Sequence, residues 1–522
     1  MAIMEQKILI LATLFLLAGL FINLGKQPLY LEEPRRTMVA MEMVERGNFI
    51  VPTQLGAYYY KKPPGFNWVL VASAGVFGGF SEFAVRLPTV LSTIGIALLM
   101  FWCGRRYIND DFGWLSALLF VGGGAILFYF SSLAEIDLFY SLITFGSFIA
   151  LFHFYQKQQW WALFLITYAL GAVGTLTKSL PSVLFTGISV VAYFMYKKNF
   201  RKLLSPMHLA GILLYGLIVG GYLYAYAQYN TLDDYFANIW GDSSERTVLS
   251  QGLMPLLTHL FQFPLDILID LLPASLLLFF LIRKDLFSLL QKNELIAFSA
   301  VIFLANIPVY WLSPGARQRY IYMLYPLLIM VLTYGYLHRE ALAPWRFITF
   351  RIIIGTIISL VMLGAISLNF IPDLQFLDYL LPLSIIVAIG AALCLYFYVK
   401  NPDWSLAILL LVLGISRIVF DLTILPQRAL QSGAAQDQSY ALTIDSLVGS
   451  EDLYVFKNSR FSFTTAVYLN KLRKTTLKRD SSYLPNAYYL SNDTLLSPNT
   501  YDSFFQFDFR GQQFSLVKFQ KE

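Results

Sequence analysis

The sequence predicts a polytopic α-helical membrane protein, with about 13 transmembrane helices and a small soluble α/β domain at its C-terminus. Of its 522 residues, 57% are hydrophobic and 13% are charged, whereas a typical soluble domain is about 25% charged. The apolar residues fall in blocks near the length that crosses a bilayer, about 20 residues. After about residue 425 the sequence becomes polar, which marks the start of the soluble part.

The predicted spans are apolar runs near bilayer length. They lie at 7–24, 86–103, 112–130, 137–155, 160–177, 180–196, 208–228, 262–282, 295–312, 320–337, 350–369, 377–399 and 404–424. The first run is long, and no small-x-small cleavage site follows it cleanly, so we interpret it as a retained helix rather than a signal peptide. Loops rich in lysine and arginine alternate with the others, which predicts a cytoplasmic N-terminus.

The first predicted outer loop, 25–85, is long and contains its own helices. Glu32-Glu33-Pro34 is typical of a helix start, and Gly47 suits the C-cap. Apolar side chains between them form a stripe, which predicts a short amphipathic helix at the membrane surface. The stretch Phe66–Phe80 predicts a second interfacial helix rather than a full span.

The segment 450–522 combines polar residues with short apolar alternations. These predict strands at 453–456, 488–490 and 514–517, with a helix near 462–474. The predicted domains are therefore a transmembrane domain at 1–424, which includes the interfacial helices of the outer loop, and an α/β domain at 425–522.

Four polar clusters are predicted to face the same outer side. They are Glu32, Glu33, Arg35 and Arg36; Lys61 and Lys62 with Tyr58 to Tyr60; Glu135 and Asp137; and Arg317, Arg319 and Tyr320, with Lys178 and Arg246 as further members. Carboxylates beside a hydrocarbon boundary are costly and are functional candidates by default. Arginine and lysine suit a phosphate. Together the clusters predict chemistry on a lipid phosphate.

Each cluster also has a structural interpretation. Glu33 and Arg36 suit a helical i,i+3 ion pair, and Glu135 suits a helix cap. The arginines of the last cluster suit lipid-headgroup anchors, and the three tyrosines suit an aromatic belt. Cys103 and Cys394 lie in apolar runs and predict neither a disulfide nor a metal cluster. A lone His259 is not enough for a metal site.

Four runs in the first outer loop carry a resemblance. They are Glu32-Glu33-Pro34-Arg35-Arg36, Glu42-Met43, Gly47-Asn48-Phe49-Ile50-Val51-Pro52 and Lys61-Lys62-Pro63-Pro64. This loop resembles that of the bacterial aminoarabinose transferases, which belong with the protein O-mannosyltransferases in a superfamily of GT-C-type glycosyltransferases. Further similar elements are Glu82 to Pro88, Leu176-Thr177-Lys178, and Arg319-Tyr320 through Tyr325-Pro326. The resemblance covers roughly residues 10 to 330.

The resemblance implies transfer of a sugar from a polyprenyl-phosphate carrier to a lipid, glycan or protein acceptor at the outer face of the inner (plasma) membrane. The family's catalytic carboxylate falls on Glu32, and its second acidic position falls on Asp137, with Glu135 adjacent. Its phosphate-binding lysine falls on Lys62. We expect the donor phosphate to be bound by Lys62, Arg35, Arg317, Arg319, Lys178 and Tyr320. Membrane lipids are expected partners, and nucleic acids are not.

Two positions depart from the family pattern. The first-loop acid is usually aspartate, and Glu32 keeps the carboxylate with one more methylene. The aminoarabinose transferases have a metal-ligating glutamate where this chain has Lys61. A cation there would repel a metal, so no certain cofactor is predicted, and a divalent metal is left open but disfavoured. The alternative function, a transporter or flippase of lipid-linked sugars, needs the same charges, but the sequence shows no internal repeat of the kind many transporters carry.

Overall fold

The computed structural model describes residues 3–245, 251–484, 486–497 and 501–519. The chain forms two compact units. The first, the transmembrane unit, contains the chain up to Asn23, Thr89–Tyr224 and Phe236–Leu425. The second, the outer unit, contains Leu24–Pro88, Ala225–Tyr235 and the chain from Pro426 onward. The first outer loop is thus grouped with the C-terminal segment, whereas the sequence analysis attached it to the transmembrane domain. The predicted domain scheme itself stays a prediction.

Long apolar helices dominate the chain, and the predicted fold class is confirmed. Ten helices in the described residues are long and apolar enough to cross a membrane, or eleven if the bent pair Asp110–Val121 and Gly124–Ser132 is one span. The ten are Met4–Phe21, Glu82–Tyr107, Ile136–Gln156, Trp160–Lys178, Pro206–Ala227, Leu253–Asp270, Glu294–Trp311, Pro344–Phe370, Leu380–Lys400 and Pro402–Gln431. The chain is a multi-pass membrane protein.

Two of the predicted spans are helices of fewer than 18 residues; the first has the predicted bounds, 180–196, and the second is shorter than predicted. Leu180–Tyr196 has 17 residues and begins after Ser179, whose φ of 67° breaks the helix that precedes it. Tyr325–Leu337 has 13 residues, because the preceding residues Gln318–Ile321 form a 3-10 turn instead. Both segments are apolar runs by hydropathy, but hydropathy does not distinguish the 3-10 turn Gln318–Ile321 from the helix that follows it. The predicted count of about 13 spans therefore stays a prediction.

A buried arginine joins three elements within the transmembrane unit. Arg417 Nε donates to the Gly19 carbonyl at 3.0 Å and pairs with Asp421 at 2.9 Å, and its NH1 donates to the Leu127 carbonyl. The absence of a side chain at Gly19 makes room for it, since a Cβ there would lie 2.4 Å from Arg417 Cγ. Removing the partners of a charged group inside an apolar helix bundle lowers the free energy of unfolding.

We expect Gly19→Ala to lower the free energy of unfolding by about 1–3 kcal/mol, because the new methyl group overlaps the stem of a fixed side chain. Thermal unfolding of the purified protein in detergent measures this. Gly216→Ala is the matched control, because nothing lies within 4 Å of a Cβ at that helical position. Equal melting temperatures for the two variants would contradict the packing argument.

The outer unit contains a five-stranded sheet. Its strands are β3 Leu453–Phe456, β4 Lys478–Asp480, β5 Tyr488–Asn492, β6 Tyr501–Phe509 and β7 Gln512–Phe519, after the short hairpin of β1 Thr53–Gln54 and β2 Ala57–Tyr58. The order is β4-β3-β5-β7-β6, with β4, β3 and β5 parallel and the rest antiparallel. Helices Gly433–Val448 and Phe463–Arg473 accompany the sheet.

The first helix of the outer loop is Glu33–Arg46, and Gly47 closes it with a φ of 62°. Its apolar stripe was predicted to lie on the membrane surface, and this is wrong for most of the stripe. Met38 is fully buried, and Val39 and Met43 pack against Tyr59 in a small core within the outer unit. The second helix, Gly65–Val76, has 12 residues and is one of the shorter apolar helices, and its interfacial position stays a prediction.

Candidate active site

Two carboxylates of the transmembrane unit lie at the N-terminal end of helix Ile136–Gln156. Glu135 is the N-cap residue, and Asp137 lies in the first turn. The positive end of the helix dipole favours both negative charges. The interpretation of Glu135 as a simple cap is wrong, because its side chain accepts no capping hydrogen bond.

These carboxylates pair with two cations. Lys178 Nζ donates to Asp137 Oδ1 at 2.6 Å, and Arg319 NH1 donates to Glu135 Oε2. Arg319 Nε also lies 3.6 Å from Asp137 Oδ2, so one guanidinium faces both acids. Glu135, Asp137 and Lys178 are all buried, and the two positive charges balance the two negative ones. Arg319 therefore does more than anchor a lipid headgroup.

Aromatic rings enclose the lysine of this cluster. Lys178 Nζ lies 4.7 Å from the ring centroid of Tyr320 and 5.0 Å from that of Tyr140. An ammonium over an aromatic face is stabilised by the ring quadrupole. The cation is thus held both by the Asp137 carboxylate and by the two rings, in a fixed position.

The 3-10 turn that carries Arg319 and Tyr320 is held by residues that the sequence analysis did not single out. Gln318 Nε2 donates to Asp266 at 2.6 Å, and Tyr325 Oη donates to Asp270 at 3.3 Å. Arg317, at the start of this turn, is exposed and makes no ion pair among the described residues. Among the described residues of the transmembrane unit, its guanidinium is the one cation of the predicted set that is exposed.

The neighbouring acids Glu32 and Glu33 of the outer unit differ in exposure and in ion-pair partner. The side chain of Glu33 is 0% exposed and pairs with Arg86 at 2.8 Å, whereas that of Glu32 is 33% exposed and pairs with Arg35 at 2.7 Å. The predicted i,i+3 pair of Glu33 with Arg36 is wrong, since Arg36 donates to the Tyr59 hydroxyl at 2.9 Å. Glu32 is the acid that remains accessible to a reactant.

A single buried arginine fixes the segment that leads to Glu32. Arg86 donates to the carbonyls of Leu24, Gln27 and Pro28, and to both carboxylate oxygens of Glu33. This arrangement uses all five N–H donors of the guanidinium. The element Glu82 to Pro88, noted in the sequence as similar to the family, therefore contains the arginine that fixes the first loop.

The C-terminal segment supports the same loop from within the outer unit. Tyr468 Oη accepts from the Leu29 amide at 3.0 Å and donates to Glu82 at 2.6 Å, and Lys471 donates to Glu82 at 2.8 Å. The Arg35 guanidinium lies 5.2 Å from the Phe463 ring centroid. Helix Phe463–Arg473 thus fixes the loop on which Glu32 and Arg35 lie.

Lys62 and its neighbours follow the first helix. Lys62 is half-buried and Lys61 is exposed. The tyrosines before them do not form a simple aromatic belt, because Tyr59 is buried and Tyr60 Oη accepts from Asn230 at 3.0 Å. Burial also raises the pKa of Glu42, which accepts from the Gly56 amide and so fixes the hairpin of β1 and β2.

Comparison with known proteins agrees with this architecture. Residues 61–223 match a family model described as dolichyl-phosphate-mannose-protein mannosyltransferase. A crystal structure of ArnT from Cupriavidus metallidurans bound to undecaprenyl phosphate superposes with a TM-score of 0.70 over 97% of both chains, at 14% sequence identity. This chain has the fold of an aminoarabinose transferase. The resemblance predicted from the first outer loop is confirmed.

Several sequence relatives are named as arabinosyl transferases. The undecaprenyl phosphate-α-4-amino-4-deoxy-L-arabinose arabinosyl transferase of Yersinia enterocolitica is 28% identical over 193 residues, which is 36% of this chain and 34% of that protein. The corresponding protein of Edwardsiella ictaluri is 33% identical over 132 residues, which is 25% of this chain and 24% of that protein. In sequence, the match thus spans about a third or less of each relative.

Among the described residues, no group of three or more His, Cys, Asp or Glu side chains could hold a metal ion. His259 Nε2 lies 3.1 Å from the Tyr310 carbonyl, and its ring packs on Phe263. Arg246, a further member of the predicted polar set, lies outside the described residues.

Proposed function

We propose that this protein transfers a sugar from a polyprenyl-phosphate carrier to a lipid, glycan or protein acceptor at the outer face of the inner membrane. The observation that carries the proposal is the buried cluster of Asp137, Lys178, Arg319 and Glu135 at the mouth of apolar helices. Charged side chains beside the hydrocarbon region are energetically costly, so charged residues found there are functional candidates. The similarity to arabinosyl transferases supports the same conclusion.

In the proposed reaction the acceptor oxygen attacks the anomeric carbon of the sugar, and the bond from that carbon to the carrier phosphate breaks. Glu32 is the proposed general base that takes the hydroxyl proton, with Asp137 as the other candidate and Glu135 beside it. Lys62, Arg35 and Arg317 would bind the phosphate, together with Arg319, Lys178 and Tyr320. Their positive charges would stabilise the phosphate as it leaves.

The proposed donor is a sugar linked to polyprenyl phosphate, and no particular sugar is assigned. The names of the relatives specify an aminoarabinose donor, but Lys61 replaces the metal-ligating glutamate of that family. A donor site built around a cation in place of an acid does not have to select the same sugar. Whether a hexose or a pentose is transferred is therefore left to the assay.

The test is transfer from radiolabelled polyprenyl-phosphate sugars to an envelope fraction by the full-length protein in liposomes. We expect label in the acceptor with the wild type. We also expect the KM for the donor to rise about tenfold in Arg317→Ala, because a charge-assisted hydrogen bond to phosphate contributes about 1.5–3 kcal/mol.

The matched control for Arg317→Ala is Arg201→Ala, which removes an exposed arginine from a loop predicted to be cytoplasmic. Its KM should equal that of the wild type. Movement of the labelled donor across the bilayer, with no transfer from any of several donors, would contradict the proposal and favour the transporter. An unchanged KM in Arg317→Ala would remove this arginine from the phosphate site.

A further inference from the structure

A cavity of about 680 Å³ lies within the outer unit, away from the proposed catalytic residues. Three segments line it: the C-terminal end of helix Glu33–Arg46, the loop Phe77–Ser81, and the chain around the end of helix Phe463–Arg473. We call it the Lys474 cavity. Met41, the lining residue of helix Glu33–Arg46 that comes first in the chain, is roughly 14 Å from Glu32 along the helix axis, at 1.5 Å per residue.

One wall of the Lys474 cavity is apolar and belongs to a loop next to a membrane span. Phe77 and Phe80 line it, and Phe77 is 48% exposed while the adjacent Val76 is 78% exposed. The loop leads directly into Glu82–Tyr107, a helix long and apolar enough to cross a membrane. Large exposed apolar side chains at this point of the chain suit contact with lipid tails.

The other wall offers hydrogen-bond donors that the described part of the protein leaves unused. Asn470 is 2% exposed, and its Oδ1 accepts from the Leu477 amide at 2.8 Å, while its Nδ2 has no acceptor there. The Thr476 hydroxyl is buried and likewise has no partner among the described residues. Buried polar groups of this kind call for an explanation, because leaving them unsatisfied costs free energy.

Four charged side chains line the cavity, Glu45, Glu82, Lys471 and Lys474, and they differ in whether they have a partner. Glu45 accepts from the Thr476 amide at 2.8 Å, and Lys471 is paired with Glu82, so these charges have partners inside the unit. Lys474 is exposed and makes no ion pair with any residue that the structure describes. The Asn470 amide and the Thr476 hydroxyl, which are buried, and the exposed Lys474 ammonium are therefore donors on residues that line one cavity.

We propose that the Lys474 cavity binds a membrane lipid whose phosphorylated headgroup carries a net negative charge. The phosphate oxygens accept from Lys474, from the Asn470 amide and from the Thr476 hydroxyl, as charge-assisted hydrogen bonds require. The acyl chains leave along Phe77 and Val76 toward the bilayer. Basic pockets beside membrane helices are suited to such headgroups. This site is separate from the carrier-phosphate residues and does not depend on the proposed transferase reaction.

Native mass spectrometry of the full-length protein in detergent, titrated with phosphatidic acid, tests the site. We expect Lys474→Glu to weaken binding about tenfold, because it places a negative charge against the phosphate. Asn470→Asp should have a similar effect, since it keeps the acceptor for the Leu477 amide and removes the donor. Lys457→Glu is the matched control, because Lys457 lies in the same segment of the outer unit, also at positive φ, and does not line the cavity.

Lys457→Glu should stay within about twofold of the wild type, and Lys474→Glu, at an exposed side chain, should keep the melting temperature of the wild type. Unchanged phosphatidic acid binding in both cavity variants would overturn the proposal. Equal binding of phosphatidylcholine would also overturn it, because the headgroup charge would then not be recognised. Saturation by inorganic phosphate without lipid binding would show a free-anion site instead of a lipid site.

Discussion

Glu32→Gln is expected to lower sugar transfer by about 10²- to 10⁴-fold, the usual contribution of a general base. The amide cannot take the proton of the acceptor hydroxyl. The fold should survive, because the carboxylate is one-third exposed and Arg35 is its one ion-pair partner among the described residues. Such an exposed pair contributes only about 0–1 kcal/mol to stability. The measurement is the initial rate of label transfer with donor and acceptor saturating.

Glu32→Asp is the informative partner variant. It keeps the carboxylate and restores the residue that the aminoarabinose transferases usually have at this position, so we expect it to retain much more activity than Glu32→Gln. Loss in both variants would indicate that the length of the side chain, and not only its charge, positions the base. Full activity in Glu32→Gln would remove Glu32 as the base and make Asp137 the next candidate.

The helical part of the fold was accessible from the sequence because hydropathy is a local property. Most of the predicted apolar runs coincide with a helix of the structure or with a bent pair of helices. Two runs are only partly α-helical: 262–282 ends in the 3-10 helix Ala274–Phe280, and 320–337 begins in the 3-10 turn Gln318–Ile321. Strands β3, β5 and β7 were also predicted, because their apolar residues are conspicuous against a polar background. Strand β4 was missed because Lys478 to Asp480 contains no apolar residue. In β6, a register shift between Ser503 and Phe505 interrupts the alternation.

The site could be predicted only as a set of separate clusters. Lys178 and Asp137 are 41 residues apart, and Arg319 and Glu135 are 184 residues apart, so no local pattern reveals these pairs. The sequence did identify each residue as a polar group beside an apolar run. The sequence did not show which cation pairs with which acid. In the structure Arg319 faces two acids, whereas Arg317 is exposed.

The role of the C-terminal segment was also beyond local reasoning. Tyr468 contacts Leu29 across 439 residues of chain, and Thr464 donates to the same residue across 435. The sequence predicted the C-terminal segment only as a small α/β domain. Its contacts within the outer unit show that it also supports the first loop, so a truncation of this domain would disturb the surroundings of Glu32 without removing any proposed catalytic residue.

Arg86→Met is expected to lower the free energy of unfolding by about 3–5 kcal/mol, the usual cost of removing one partner of a buried ion pair. Arg86 is 2% exposed and Glu33 is fully buried, so the remaining carboxylate has no access to water. Three backbone carbonyls of the segment 24–28 lose their donors at the same time. Arg35→Met is the matched control, because it removes an exposed ion pair from the same loop.

A double-mutant cycle separates the ion pair from the backbone contacts of Arg86. If the loss in Arg86→Met comes mainly from the unpaired Glu33 carboxylate, Glu33→Met in the same chain should recover part of it, since a buried pair can often be replaced by apolar side chains. If the carbonyls of Leu24, Gln27 and Pro28 dominate, the double variant should be no more stable than Arg86→Met alone. Arg86→Lys distinguishes charge from geometry, because a lysine keeps the charge but cannot donate five hydrogen bonds in a planar fork. We expect Arg86→Lys to be destabilised as well, which would make the fork, rather than the charge, the feature that holds the Glu32 loop.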